Sequence, residues 1–166
     1  MLTVEDQLDQ LQPALKPHSF TEEEDMDMTR YEMMEPMTAL PAILNNNVSD
    51  SSEKPPLLDY GIPLRGDVLK RALQNLLGDD DSKMKFVSVT GLLENYLSDG
   101  FRYPLRIREA FGTYTESELM VRIVDNYTPP DRYPTKAEMD GLKQKLGVDL
   151  EAKWYLDKDM PNWRPN

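Results

Sequence analysis

The sequence predicts a mainly α fold, in which a small helical body of about five short helices follows a long, disordered acidic arm. Two observations lead to this prediction. Of the formal net charge of −11, most lies in residues 1–60, which hold 13 acidic residues against three basic ones, whereas residues 61–166 hold 17 against 16. Apolar residues of the second part recur at helical spacing. We therefore divide the chain into an arm, residues 1–60, and a body, residues 61–166.

The arm is too acidic, and too poor in apolar residues, to bury a core of its own. Val4 and Leu8 are spaced for one short helix, for which Thr3 is the predicted N-cap and Pro13 the end. A helix this short is stable only against a partner or against the body. A polar, proline-rich stretch then predicts an extended spacer that leads to the body.

Half of the ten methionines lie between residues 26 and 37, next to an acidic run. Methionine is flexible and polarizable, so such a segment can adapt to an irregular apolar groove, and its acidic neighbours would steer it towards a basic surface. The alternative is a solvated linker without a binding role. We favour binding, and the residues predicted to contact a partner here are Met26, Met28, Tyr31, Met33, Met34, Met37 and Leu40.

Two helices of the body are marked by apolar stripes and by a glycine at their ends. The first is predicted from Asp67, as N-cap, to Gly78, and the second from Phe86 to Gly100. A third segment is compatible with a strand and with a helix. Residues 103–107 alternate as in a strand, whereas the proline at position 104 suits the first turn of a helix. We predict a helix there.

The last two helices of the body are predicted from capping boxes, in which a threonine and a glutamate three residues later satisfy each other's backbone N–H groups. These boxes are Thr115–Glu118 and Thr135–Glu138, and Gly147 is placed to end the second helix. The aromatic residues of the C-terminus either fold back on the core or stay exposed as an anchor. We favour the first alternative for Trp154, Tyr155 and Trp163.

No residue pattern indicates catalysis. The chain has no cysteine, which excludes thiolate nucleophiles and cysteine metal sites. Its single histidine, His18, has no second catalytic group beside it. Residues 61–66 have the outer glycines of a phosphate loop, but Asp67 stands where that loop requires lysine. We therefore predict no enzyme activity, no cofactor, no metal and no small-molecule substrate.

Charge and hydropathy restrict the partners and the location. A net charge of −11 opposes the phosphates of nucleic acids, which are bound mainly by clustered Lys and Arg. The one local basic cluster consists of Arg102, Arg106 and Arg108, with Arg122 as a further candidate, and Arg106, Arg108 and the neighbouring Phe111 are predicted to contact a partner. We expect the cluster to bind either an acidic surface, of the arm or of a partner, or a nucleic-acid backbone. No run approaches the roughly 18–20 apolar residues that cross a bilayer, and residues 1–6 lack the basic and apolar regions that are typical of a signal peptide. We expect a soluble, cytoplasmic protein without a membrane partner.

Short motifs follow one another in a suggestive order along residues 25–148. They are Asp27 with Arg30-Tyr31, Leu40-Pro41, Pro55-Pro56, Asp59-Tyr60-Gly61, Ala72-Leu73, Pro104 to Phe111, Glu118-Leu119-Met120 and Leu146-Gly147. This order resembles that of the internal scaffolding proteins of gokushovirus-type microviruses, which are small single-stranded DNA phages. The spacers differ in length, and Tyr103-Pro104 stands where the family has Leu-Pro.

The resemblance implies a non-enzymatic assembly factor that binds the major capsid protein during procapsid assembly in the host cytoplasm and is then released. Whether the protein also associates weakly with copies of itself is left open. Ordering a flexible segment costs part of the contact energy, which suits reversible binding to many coat-protein copies. The alternative is a cellular adaptor or regulator that recruits its partner through the acidic, hydrophobic segment of the arm.

Overall fold

The computed structural model describes residues 3–17, 29–47, 53–78, 89–115 and 118–165. The fold is mixed α/β, and the prediction of a mainly α chain is wrong. Its centre is a closed four-stranded barrel, around which helices and the N-terminal segments pack. Several short apolar segments fit both the helical and the extended pattern, and in this fold they are strands because each finds a pairing partner on both sides.

The barrel consists of four antiparallel strands. The strands of the described residues are β1 (Glu53–Lys54), β2 (Leu58–Pro63), β3 (Arg106–Phe111), β4 (Leu119–Asp125), β5 (Lys153–Asp157) and β6 (Arg164–Pro165). β2 pairs with β4 and β5, and β3 pairs with the same two strands, which closes the barrel. β1 and β6 form a separate two-stranded sheet, which ties the C-terminal segment to the stretch before β2.

The described helices agree in part with the predicted ones. They are α1 (Val4–Asp9), α2 (Thr29–Glu32), α3 (Gly66–Leu77), α4 (Val89–Ser98) and α5 (Lys136–Leu146). The capping box at Thr135 and the left-handed Gly147, with φ of 65°, confirm both predicted ends of α5. α3 is confirmed as a helix but begins one residue before Asp67. The predicted start of α4 at Phe86 lies outside the described residues.

Two of the predicted helices are strands. The segment after Pro104 forms β3, and the segment after Thr115 forms β4. Glu118 has φ of 53°, so the capping box predicted at Thr115 does not form a helical turn, and residues 116 and 117 lie outside the described ranges. The β-branched residues of β4 fit a pleated, half-buried surface, and pairing with β2 and β3 decides the structure that local spacing leaves open.

β2 and β4 approach each other closely at Gly61. The register of the two strands shifts between Tyr60 and Gly61, as at a β-bulge. A Cβ atom at position 61 would lie 1.9 Å from the carbonyl oxygen of Val121. Glycine at this position therefore serves strand packing and not a phosphate loop.

The described parts of the N-terminal segment pack into the molecule and do not form a disordered arm. α1 begins at its predicted N-cap, Thr3, but the residues buried against the barrel come later: Leu11, Ala14, Leu15, Tyr31, Met34, Ile43 and Leu44. The boundary predicted near residue 60 falls inside β2. The composition of the first sixty residues does not reveal this packing, because the apolar side chains that reach the core come in ones and twos and form no long apolar stripe.

A second core lies between the barrel and the three longer helices. It contains buried residues of α3, α4 and α5 together with residues of β2, of β4 and of the loops next to β2, β3 and β5: Ile62, Leu64, Val68, Ala72, Leu93, Leu97, Leu105, Val121, Leu142, Leu146 and Ala152. The C-terminal aromatic residues fold back, as we favoured. Trp154 and Tyr155 are buried in β5, and Nε1 of the half-buried Trp163 donates to the carbonyl oxygen of Leu15 at 2.8 Å.

Candidate functional site

A groove of about 590 Å³ lies between α5 and the neighbouring part of β2 and β5. We call it the aromatic groove because three aromatic rings and a proline line it together with methionine and charged side chains. Its lining residues are Thr38, Tyr60, Tyr133, Pro134, Lys136, Met139, Asp140, Lys143, Glu151 and Trp154. A cavity of this size with a few convergent polar groups is typical of a binding site.

Strand pairing holds two of the three rings in place. Tyr60 of β2 lies opposite Trp154 of β5, and their ring centroids are 5.2 Å apart with the planes tilted by 44°. On its other side, Trp154 exchanges two backbone hydrogen bonds with Met37, at 3.0 and 2.8 Å. The indole is therefore fixed by the barrel and by the N-terminal segment at once, and it is only 5% exposed.

The third ring comes from the loop before α5. The carbonyl oxygen of Tyr133 accepts a hydrogen bond of 2.7 Å from Nη2 of Arg102, and the backbone N–H of Arg102 donates to Oε1 of Glu138 at 2.8 Å. The loop is therefore tied to the first turn of α5. Tyr133 has a half-buried position at the edge of the groove, and this tie sets its place relative to α5.

The three aromatic side chains carry hydrogen-bond donors that no described residue accepts. These donors are the hydroxyls of Tyr60 and Tyr133 and the indole Nε1–H of Trp154. Burial raises the pKa of both tyrosines; the charges of Glu151, for Tyr60, and of Asp125, for Tyr133, raise it further. Both hydroxyls therefore remain protonated at neutral pH and can donate to a ligand.

The charged residues of the groove neutralise each other in pairs. Nζ of Lys136 lies 2.7 Å from Oδ2 of Asp140, and Nζ of Lys143 lies 2.7 Å from Oε1 of Glu151. The hydrogen bond to Glu151 raises the pKa of Lys143, so this cation stays charged. The lining holds two positive and two negative side chains and favours a ligand without net charge.

A second polar cluster is buried in the barrel. Asp59 of β2 is fully buried and Asp157 of β5 is 2% exposed. Nη1 of Arg122 lies 3.7 Å from Oδ1 of Asp59 and 3.4 Å from Oδ2 of Asp125. Burial, reinforced by the charge of Asp157 and opposed by Arg122, raises the pKa of Asp59 to about 8. At pH 7 Asp59 is therefore mainly a neutral acid.

This cluster has a structural role. Asp59 has no solvent-exposed surface with which to reach a substrate. Oδ1 of Asp157 accepts the backbone N–H groups of Asp159, at 2.8 Å, and Met160, at 3.0 Å, and so holds the turn after β5. Sequence analysis missed the cluster because its members lie far apart in a chain with 30 acidic residues, where no local spacing marks them.

The residues predicted to bind a partner in the N-terminal segment mostly face inwards. Tyr31 and Met34 are buried in the core, and the Tyr31 ring stacks on buried Phe111 with centroids 5.3 Å apart. Met37 and Leu40 are partly buried against the same core. The one predicted contact of this segment that is largely exposed among the described residues is Met33, at 74%. Met26 and Met28 lie outside the described residues.

The basic cluster is spread over the barrel and paired with carboxylates of the body. Nη1 of Arg106 lies 3.3 Å from Oε2 of Glu94, and Nε of Arg102 lies 3.3 Å from Oε1 of Glu138. Arg108 is half-buried on β3. Among the described residues, Arg102, Arg106 and Arg108 therefore form no ion pair with the acidic N-terminal segment, whereas Nη1 of Arg122 lies 3.7 Å from Oδ1 of Asp59. Arg106 offers a partner less free charge than the sequence indicates.

Two further findings concern the described residues as a set. They contain no group of three or more His, Asp or Glu side chains arranged to hold a metal ion. None of the helices described is both long and apolar enough to span a membrane. Comparisons of the chain with protein-family models, with curated proteins and with solved structures find no match.

Proposed function

We propose that this protein is a non-enzymatic, protein-binding assembly factor that holds an extended, uncharged segment of a partner protein in the aromatic groove. The observation that carries the proposal is the set of three hydrogen-bond donors, on Tyr60, Tyr133 and Trp154, that no described residue accepts. A polyproline-type segment has free backbone carbonyls to accept them, and such segments dock in grooves lined by aromatic rings.

The charge of the groove supports this occupant. Its two cations and two anions form ion pairs with each other at 2.7 Å, so a charged ligand would have to compete with an existing partner. A neutral, proline-containing segment loses little conformational entropy on binding, because it is already extended in solution. It also gains apolar contact with Pro134 and Met139 at the side of the groove.

The partner that we propose is the coat protein of a forming capsid, on the strength of the motif order described above. A scaffold must release its partner, and a groove that contacts only a few residues of that partner gives weak, reversible binding of the kind required. The cellular adaptor is the competing assignment, and the experiment below separates the two.

The test is a pulldown from the native source with the full chain, because a fragment of residues 61–166 would lack half of β2. The double variant Tyr60→Phe/Tyr133→Phe removes two of the donors and keeps both rings. Two lost hydrogen bonds of about 1 kcal/mol each should weaken binding by roughly 30-fold. Tyr103→Phe is the matched control, because Tyr103 is an exposed tyrosine outside the groove.

Recovery of one abundant, shell-forming protein that falls in the double variant and not in the control would support the proposal. Groove-dependent recovery of a small set of cellular proteins would replace the scaffold by the adaptor. Equal recovery by all three proteins would overturn the groove as the binding site. Substrate turnover that depends on one residue would overturn the non-enzymatic assignment.

A further inference from the structure

A second cavity, of about 440 Å³, lies where the β1–β6 sheet meets the barrel. Three cationic side chains line it: Lys54 of β1, Arg122 of β4 and Arg164 of β6. One acidic side chain, Asp125, lines it as well. Three positive charges and one negative charge give this lining a net charge of +2, in a chain whose formal net charge is −11.

The pairing of β1 with β6 places two of these cations directly opposite each other. Lys54 and Arg164 are partners in the antiparallel register, and both side chains line the cavity. Like charges at directly opposed positions destabilise a strand pair. Neither side chain forms an ion pair with a carboxylate of the described residues. An anion between them would remove this repulsion.

The guanidinium of Arg164 is held in position without a charged partner. Nη2 donates to the hydroxyl oxygen of Tyr127 at 3.0 Å, and this hydroxyl donates to the carbonyl oxygen of Pro55 at 2.6 Å. The guanidinium also lies over the Tyr127 ring, 5.7 Å from its centroid. Nε is buried and makes no hydrogen bond with any described residue. Nη1 donates to Sδ of Met160 at 2.9 Å, so each of the two Nη atoms keeps one N–H for an oxyanion.

Asp125 does not fill the role of that anion. Its Oδ1 accepts hydrogen bonds from the backbone N–H of Tyr127, at 3.0 Å, and from the hydroxyl of Thr128, at 2.8 Å. Its Oδ2 lies 3.4 Å from Nη1 of Arg122. The carboxylate is thus committed to the turn after β4 and to one of the three cations, which leaves Lys54 and Arg164 without a negative partner.

We propose that this cavity binds a phosphate group in its dianionic form, held by Lys54, Arg122 and Arg164. A net lining charge of +2 suits the dianionic form of a phosphate group, which gives a monoester a charge of about −1.5 to −2 at pH 7, and it exceeds what a single carboxylate would neutralise. Free inorganic phosphate and a phosphate monoester share this chemistry. A phosphodiester, with one charge, fits the site less well.

The experiment measures binding of inorganic phosphate to the full chain by calorimetry, together with thermal unfolding in phosphate and in chloride at equal ionic strength. The variants are Lys54→Gln and Arg164→Gln, and the control is Lys70→Gln, which removes an exposed lysine of α3 that lines neither this cavity nor the aromatic groove. Each cavity variant should weaken phosphate binding at least tenfold, whereas the control should bind like the unmodified chain.

The two conditions give Lys54→Gln opposite effects. In chloride it relieves the repulsion from Arg164 and should raise the Tm, whereas in phosphate it should lose most of the gain that the unmodified chain shows. If phosphate raises the Tm of all variants equally, it acts as a general stabilising salt and the site is refuted. Lys54→Gln alone decides the matter if Arg164→Gln does not fold. A lower Tm of Lys54→Gln in chloride would also count against the proposal.

Small phosphate compounds then identify the source of the group. Tighter binding of glycerol phosphate than of inorganic phosphate would assign the site to a monoester, and the reverse order would assign it to the free ion. Either order supports the proposal. Dimethyl phosphate, a diester with one charge, should bind at least tenfold more weakly than the tighter of the two, and equal binding of all three would overturn the requirement for a dianion.

Discussion

At the residue scale, single buried polar side chains join segments that lie far apart in the sequence. Asn126 is fully buried and makes three hydrogen bonds through its amide: Nδ2 donates to the carbonyl oxygens of Leu44, at 2.7 Å, and Pro56, at 2.9 Å, and Oδ1 accepts from the N–H of Leu58 at 2.9 Å. The N-terminal segment, the start of β2 and the end of β4 thus meet at one amide. Asn126 is satisfied, which is the rule for a buried polar group.

Asp59 does not follow this rule. Its buried carboxyl group makes the stability of the protein depend on pH. Its pKa is raised from 3.8 to about 8, first by burial and then by the charge of Asp157. Between these two values the folded state holds a proton that the unfolded state has released, so the free energy of unfolding falls as the pH rises from about 4 to 8. Asp59→Asn replaces the protonated carboxyl group by an uncharged amide of similar shape. The variant should therefore be more stable than the unmodified chain at pH 9, by more than about 1.4 kcal/mol.

The measurement is urea unfolding of both proteins at pH 5 and pH 9. The difference between the variant and the unmodified chain should grow with pH. Asp67→Asn is the control, because it removes a charge from an exposed aspartate and so tests the general effect of lowering the net negative charge. A constant difference at both pH values would show that Asp59 ionises normally in the folded protein.

At the scale of elements, helix α5 is bound to its neighbours by its own capping groups. Glu138 completes the capping box and also accepts the backbone N–H of Arg102. These backbone donors, of Thr135 and then of Arg102, lower the pKa of Glu138 from 4.5 to about 2. Its contribution to stability is therefore complete above pH 4.5 and is lost as the pH falls towards 2. At the other end, Lys145 donates to the carbonyl oxygen of Tyr96 in α4 at 2.9 Å.

Capping boxes form at Thr3 and at Thr135 in the described part of the chain, and we expect the two to contribute differently to stability. Helix α5 buries Leu142 and Leu146. Thr135→Ala removes the N-cap of this helix and should therefore lower the free energy of unfolding by about 1 kcal/mol. Thr3→Ala removes the cap of α1, which buries no residue, and should change it by less than about 0.5 kcal/mol. Chemical denaturation of both variants tests this, and equal losses would mean that α1 also belongs to the cooperative fold.

At the scale of the whole molecule, the N-terminal segment reinforces the barrel on the open side of β5. Met37 pairs with β5 where β3 does not, since β3 and β5 share only two register pairs. The segment also crosses close to the end of β3, because a Cβ on Gly112, which has φ of 78°, would lie 2.5 Å from the carbonyl oxygen of Met34. The hydroxyl of Tyr31 donates to Asn162, which connects the segment to the C-terminus.

Two adjacent methionines test whether this segment is part of the core. Met34 is 1% exposed and Met33 is 74% exposed. Met34→Ala should lower the free energy of unfolding by about 2–5 kcal/mol, as expected for a buried methionine, whereas Met33→Ala should change it by no more than about 0.5 kcal/mol. The readout is denaturant unfolding of the full chain. Similar small effects for both variants would indicate that the segment leaves the barrel readily, as the arm hypothesis requires.

The sequence predicted the helices better than the strands, for a physical reason. α5 and α3 are predicted by an apolar stripe and by residues at their ends. These signals depend on interactions between residues only a few positions apart along the chain. β3 and β4 carry no comparable local mark. Besides pairing with each other, β4 pairs with β2 and β3 pairs with β5, and the paired residues Asp59 and Asp125, or Ala110 and Asp157, are far apart along the chain. Spacing along one strand does not reveal these partners.

The sites differ in the same way. The methionine-rich segment stood out in the sequence, yet its described apolar residues mostly serve the core. No sequence pattern predicts the aromatic groove, because Tyr60, Tyr133 and Trp154 lie far apart along the chain. The cationic cavity is not predicted by the sequence either, since only the pairing of β1 with β6 places Lys54 opposite Arg164.

The sequence by itself determined where α1, α3 and α5 form and that the charge is concentrated in the first sixty residues. Both follow from composition and from interactions between residues a few positions apart. The tertiary structure alone decided that two ambiguous segments are strands, that the acidic segment carries core residues, and which side chains share a cavity. Each of these depends on contacts across the barrel, and the free energy of such contacts belongs to pairs of segments and not to either segment alone.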